Sequence, residues 1–257
     1  MSIRRVVLAL AVSSLASCAA VEDAPVARSV PELARERSVV VERAATVAPR
    51  PLVETESDEM ALTAAVDARR IGAFRRPHAP RPFEVFRNPN EYGYPVVFLV
   101  KRTRGDWLEV YLPIRPNGAT GWVRARHVTL SENPFRIEVD LSENRLLLRR
   151  AERVVMRERV AVGTGGTPPP TGLFYTRMEH RTGDPGGVYG PFIQVLSAYS
   201  EVHFTFNGGN GEVGIHGTND PSLLGQDVSN GCIRMNNRAI TRLTRLSPVG
   251  TPVRIRA

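Results

Sequence analysis

Gly214-Ile215-His216-Gly217-Thr218-Asn219-Asp220, followed by Ser229-Asn230-Gly231-Cys232-Ile233-Arg234-Met235, carries most of what this 257-residue chain says about its chemistry. Val213, Gly214 and Ile215 read as an apolar strand with the histidine at its end. The intervening loop contains Asn219-Asp220-Pro221 and Gly225, residue types that reverse a chain readily. Folded back, it brings a thiol to an imidazole. The other cysteine, Cys18, closes an export-signal pattern, so Cys232 has no intrachain partner and a structural disulfide is excluded.

Cysteine catalysis requires a thiolate, a base for its proton and donors for an oxyanion. Cys232 supplies the first and His216 the second. No Asp or Asn is fixed by sequence to orient the imidazole, which leaves a backbone carbonyl near Gly217 as acceptor for its ring N–H. Gly231 allows a sharp turn that points the amides of Gly231 and Cys232 at a substrate carbonyl. The histidine precedes the cysteine, which argues against papain-like peptidases, whose cysteine comes first.

Around this stretch the chain reads as mainly β. Residues 136–141 alternate, 144–149 follow a turn, and 154–163 and 251–256 give further strands. One helix is expected, Asn237 to Leu246, with Ile240, Leu243 and Leu246 on one face and Asn236 as N-cap. These elements define a β-rich domain over 132–257 with a short C-terminal helix, long enough for its own core. Upstream, 95–100, 106–112 and 121–125 are short β-branched and aromatic runs separated by turns such as Arg115-Pro116-Asn117-Gly118. They predict a small barrel over 78–131. Its tryptophans, Trp107 and Trp122, either line a ligand groove or plug the barrel.

The N-terminal third differs. Residues 1–17 form a signal peptide, with Arg4 and Arg5 ahead of a ten-residue apolar run, 6–15, that is too short to span a bilayer stably. Leu15-Ala16-Ser17-Cys18 resembles a bacterial lipobox, which makes Cys18 the expected lipidation site and a lipid-anchored cell-envelope protein the expected localisation. Residues 18–77 read as a disordered tether, with some helix around 58–71. The net charge of +8 rests on 34 basic residues, of which all but Lys101 are arginine. An exported chain rarely meets nucleic acid, so acidic envelope polymers suit this balance better. His78, His127, His180, His203 and His216 show no ligand spacing, so neither a metal nor a cofactor is expected.

His216-Gly217-Thr218-Asn219-Asp220 with Ser229-Asn230-Gly231-Cys232-Ile233-Arg234-Met235 strongly resembles the L,D-transpeptidase catalytic domain of the YkuD type. Gly163-Thr164-Gly165-Gly166-Thr167-Pro168-Pro169-Pro170-Thr171-Gly172-Leu173-Phe174-Tyr175 and Gly187-Val188-Tyr189-Gly190-Pro191 look like its usual companions. Asp106-Trp107-Leu108-Glu109-Val110 and Thr120-Gly121-Trp122-Val123 resemble bacterial SH3-like domains. The resemblance implies Cys232, His216 and Gly217 as catalytic positions and Ser229, Asn230, Gly231, Arg234 and Tyr189 as substrate contacts. The family most often has histidine where this chain has Asn230. It implies peptidoglycan stem peptides as partner, a thioester intermediate and a 3→3 cross-link as product, made by a monomer. Alternatives are an L,D-carboxypeptidase, a protein-to-wall anchoring transpeptidase and a catalytically silent wall-binding lipoprotein.

Overall fold

A computed structural model describes residues 60–205 and 209–257. The expected signal peptide, Cys18 and most of the expected tether lie outside the described residues.

The first layer is built from β1 (Ala61–Val66), β2 (Arg70–Ala73), β3 (Glu84–Arg87), β4 (Val97–Arg104), β5 (Trp107–Tyr111), β6 (Thr120–Arg124) and β7 (Val128–Asn133). Five of these form an antiparallel sheet in the order β6-β5-β4-β1-β7. The β2–β3 hairpin joins it through a bridge between Phe74 and Trp122. Ala64, Ile71, Phe98, Leu108, Val110 and Val123 fill the space between them. Trp107 (2% exposed) and Trp122 (7%) are buried outside this cluster, on the opposite face of β5 and β6, Trp107 against Phe74, His78 and Arg124 and Trp122 under Arg102.

This layer therefore begins inside the expected tether, and the strand β1 replaces the helix expected around 58–71. Ala61-Leu62-Thr63-Ala64-Ala65-Val66 has high helix propensity, but tertiary pairing overrides it. Ala64 lies opposite the bulky Phe98, and β1 takes an interior position between β4 and β7. Small side chains fit an interior strand packed against large neighbours, which a helical reading of alanines misses.

Asn133 links the two layers; its Nδ2 donates to Thr251 Oγ1 at 3.0 Å in a buried contact. The second layer contains β8 (Phe135–Asp140), β9 (Arg145–Arg150), β10 (Arg153–Arg159), β11 (Val162–Gly163), β12 (Gly172–Arg181), β13 (Phe192–Tyr199), β14 (Glu212–His216), β15 (Asp227–Ser229), β16 (Ile233–Arg234), α1 (Asn237–Leu246) and β17 (Pro252–Arg256). Eight strands form one sheet in the order β10-β9-β8-β17-β12-β13-β14-β16, while β11 and β15 pair separately. The helix starts where expected, with Asn236 Oδ1 accepting from the Arg238 amide at 2.9 Å. Ala239, Ile240 and Leu243 join Leu196, Val213, Ile215 and Ile233 in the core. Side chains alternate across a strand, so Gly214 and His216 point away from that core. The parallel β14–β16 pair aligns Ile215 with Ile233 and His216 with Arg234. Continuing that register sets Cys232 beside Gly214, on the same face as His216 and Arg234.

Candidate active site

Three ties hold His216. Its carbonyl accepts from the Met235 amide at 2.8 Å, fixing the strand end beside β16. Its Nδ1–H donates to the Gly217 carbonyl at 2.6 Å, which leaves Nε2 free to accept a proton. The Tyr189 ring stands edge-to-face against the imidazole, with centroids 5.0 Å apart. The acceptor expected near Gly217 is thus the Gly217 carbonyl itself, and Tyr189 contacts the histidine directly.

Asn237 buttresses this corner in a way the sequence reading missed. Its Oδ1 accepts from the Thr218 amide at 2.8 Å, and its Nδ2 donates to the Pro185 carbonyl at 3.1 Å. Gly190 and Gly217 pack against each other around it. A Cβ on either glycine would fall 2.2 Å from Asn237 Oδ1. A single asparagine at the start of α1 therefore seats the backbone that orients the base. No signal short of the fold reveals this, because Asn237 reads equally well as an ordinary first helical residue beside its capping neighbour.

The cysteine loop is held from within. Ser229 is 1% exposed; its Oγ donates to the Cys232 carbonyl at 2.6 Å and accepts from the Gly231 amide at 3.1 Å. Gly231 has φ of +113°, a conformation that L side chains rarely adopt. Both of these expected substrate contacts are used within the turn: the Ser229 hydroxyl closes it, and the buried Gly231 gives its amide to Ser229 Oγ. Asn230 at the tip is exposed. From outside, Thr164 N and Thr167 Oγ1 both donate to the Ser229 carbonyl, at 3.1 and 3.0 Å. Gly163 permits that approach, since a Cβ there would lie 2.0 Å from the Thr167 carbonyl oxygen. The glycine- and threonine-rich run 163–167 thus supports the cysteine turn.

Electrostatics sharpen the picture. Burial pushes the His216 imidazole down to about 4, the Gly217 hydrogen bond opposes this, and the Arg234 charge adds to it. The Cys232 thiol is raised by burial, while the Gly214 backbone N–H and Arg234 both favour its anion. The resting pair is a neutral thiol beside a neutral base. Arg234 is half-buried, and its Nε has no hydrogen-bond partner among the described residues. Paired with Ala161 through both backbone groups, at 2.8 Å each way, it is a cation held at the site, and among the described residues no carboxylate pairs with it. Among the described residues no group of three or more His, Cys, Asp or Glu is arranged to hold a metal ion.

A buried imidazole with one nitrogen tethered, a partly buried thiol on the same sheet face and an adjacent guanidinium form an acyl-transfer constellation. Residues 134–255 match the YkuD family, the L,D-transpeptidase catalytic domain. This segment is 39% identical over 122 residues to YkuD of Bacillus licheniformis and 38% identical to YkuD of Bacillus subtilis, both named provisionally as L,D-transpeptidases. Each match covers 48% of this chain, and the chain spans 66% of the length of these relatives. Among solved structures, the chain is similar to an Enterococcus faecium L,D-transpeptidase (24% identity, TM-score 0.37, 48% of this chain and 50% of that one). It is also similar to an L,D-transpeptidase from Mycobacterium smegmatis (14% identity, TM-score 0.39, 63% and 90%).

Proposed function

We propose that the chain is a peptidoglycan L,D-transpeptidase acting through a Cys232 thioester. The observation that carries this reading is the His216 imidazole, tethered at Nδ1 by Gly217 and held on the sheet face it shares with Cys232.

The donor is a tetrapeptide stem whose third residue is linked to a terminal D-Ala. The sulfur attacks the carbonyl between them as His216 Nε2 takes the thiol proton. Because burial disfavours both ions, proton transfer and attack proceed together rather than from a standing thiolate. In this reading the Cys232 amide donates to the tetrahedral oxyanion, the Gly231 amide being engaged by Ser229 Oγ. The imidazolium then protonates the departing D-Ala nitrogen, and a thioester remains. An amine of a neighbouring stem attacks the thioester, His216 takes a proton from it, and the sulfur leaves to be reprotonated. The product is a 3→3 cross-link. Arg234, with its unpartnered Nε, receives a stem carboxylate.

The Cys18 lipobox and the tether fit an enzyme anchored on a membrane and reaching into the wall. The small β-layer at 61–133 fits an SH3-like module. Purified protein incubated with defined tetrapeptide stems tests the central claim. Tetra–tri dimers and free D-Ala are expected, and both should vanish in Cys232→Ala. Free D-Ala with tripeptide and no dimer would replace the amine acceptor by water. D-Ala release that survives Cys232→Ala would place the nucleophile elsewhere.

A further inference from the structure

The barrel touches the second sheet at the hairpin that carries the base. The Arg115 guanidinium reaches across and donates to three backbone carbonyls of the β13–β14 connection: Ser200 at 2.7 Å, Asn210 at 3.1 Å and His203 at 3.4 Å. It lies between two aromatic rings, 4.8 Å from the centroids of both Tyr199 and Phe204. Next to it Asn117 exchanges bonds with the Tyr199 backbone, accepting from N at 2.9 Å and donating to O at 2.8 Å. The Tyr199 hydroxyl returns a bond to the Pro113 carbonyl at 2.7 Å. Gly211 closes the cluster: its φ is +76°, and a Cβ there would lie 2.1 Å from the His203 oxygen and 2.9 Å from Arg115 Nη2.

A second grip lies at Glu212, the first residue of β14. Arg177, 7% exposed, pairs with Glu212 and, at 3.0 Å, with Glu91 of the barrel; Tyr92 of the barrel also donates to Glu212 at 3.0 Å. Glu212 is two residues before Gly214, the register neighbour of the nucleophile, and four before His216. At ~3.3 Å per residue, Gly211 lies about 10 Å along the strand from Gly214. The three stem residues upstream of the scissile bond span about 10 Å when extended. A donor whose scissile carbonyl sits at Cys232 and whose stem runs along β14 therefore reaches the residues Arg115 holds.

We infer that Arg115 and Asn117 of the barrel are positioning residues for the donor stem: they fix the 200–204 and 209–211 backbone as one wall of its binding cleft, so that barrel and YkuD-type segment make a composite site. The inference rests on the transpeptidase reading for the identity of the donor but not for the clamp. Three carbonyls converge on a single guanidinium, a geometry that one ammonium reproduces poorly. The barrel is then part of the enzyme's recognition surface and not only a module beside it.

The test uses full-length Arg115→Ala, Arg115→Lys and Asn117→Ala, with three readouts. Amide hydrogen exchange across 200–204 and 209–211 should speed up in the alanine variants. KM for the tetrapeptide should rise about tenfold in Arg115→Ala with a smaller change in kcat, and Arg115→Lys should recover only part of it. Alkylation of Cys232 by iodoacetamide, which needs no stem contact, should stay within about twofold of wild type. Unchanged hydrogen exchange would overturn the clamp. Faster exchange with an unchanged KM would overturn the donor wall, and equal loss of alkylation and tetrapeptide turnover would reduce Arg115 to a purely structural role. Wild-type protein that alkylates normally yet releases no D-Ala would overturn the transpeptidase reading alone.

Discussion

Two regions of this molecule bury ionisable groups, and they treat them in opposite ways. In the first β-layer, Glu109 is 5% exposed and receives Arg102, Lys101 at 3.4 Å and the Thr120 hydroxyl at 2.9 Å. Every lone pair that matters is answered by a donor. Around Cys232 and His216 the balance is left open. Burial is the largest influence on both groups, single backbone hydrogen bonds oppose it, and the Arg234 charge favours the thiolate while disfavouring the imidazolium, its own Nε unpartnered among the described residues. A buried charge with its full set of partners marks structure, whereas buried titratable groups displaced mainly by desolvation mark chemistry. The contrast can be attacked from both ends.

The largest effect is expected at the uncompensated end. His216→Ala should slow Cys232 acylation by about 10²–10⁴-fold, the usual range for general-base assistance. Circular dichroism should show a folded domain, since Gly217, Tyr189 and Asn237 keep their other contacts. Acylation at the wild-type rate, measured by intact mass with a carbapenem or tetrapeptide donor, would remove His216 from the base role.

The pH dependence comes next. With the imidazole held down to about 4, His216 remains a neutral base well below the unperturbed value of ~6.5. The acidic limb of kcat/KM should therefore fall nearer 4 to 5 than 6.5. Stability follows the same sign. The unfolded chain takes up a proton at His216 before the folded one does, so the folded state loses about 3 kcal/mol as pH drops from ~6.5 to 4, and none above that window. An acidic limb at 6.5 or higher in the wild type would show an imidazole far better solvated than this geometry allows.

How much of this was legible in the chain divides along the same line. Spacing and residue type exposed His216, Cys232 and the helix with its Asn236 cap, because each is a local pattern with a local cause. The resemblance offers Ser229 only as a substrate contact; that its hydroxyl closes the cysteine turn on the Cys232 carbonyl emerges only when the turn is folded. Asn237 and Arg115 act over separations of 19 and about 90 residues, which no local pattern encodes. β1 was hidden for a related reason: alanines favour a helix in isolation, and only the pairing of Ala64 with Phe98 makes the strand the better state.

At the compensated end, Glu109→Gln should lower stability by about 2 kcal/mol, because two cations and a hydroxyl lose their common anion while the site stays hydrogen-bonded. The partners are partly exposed, which keeps the cost below that of a fully buried pair. Thermal melting reads this directly. Cys232 alkylation should be untouched at 25 °C. A variant with normal melting but altered thiol reactivity would mean that Glu109 belongs to the chemistry, and the distinction between the two regions would fail.

The smallest effect is expected at Asn230. It is the exposed tip of a turn whose geometry is set by Ser229 and Gly231, so its side chain carries little of the fold. Asn230→His restores the residue more usual in the resembling family and adds an imidazole that stays largely solvated. Acylation should change by no more than about threefold, well under one kcal/mol, and the acidic limb set by His216 should stay in place. If Asn230→His instead moves that limb toward 6.5, an exposed imidazole at the tip has taken over proton transfer from the buried one. The uncompensated pair would then be less self-sufficient than its burial implies, and Asn230 would count as a determinant of rate rather than a bystander at the rim.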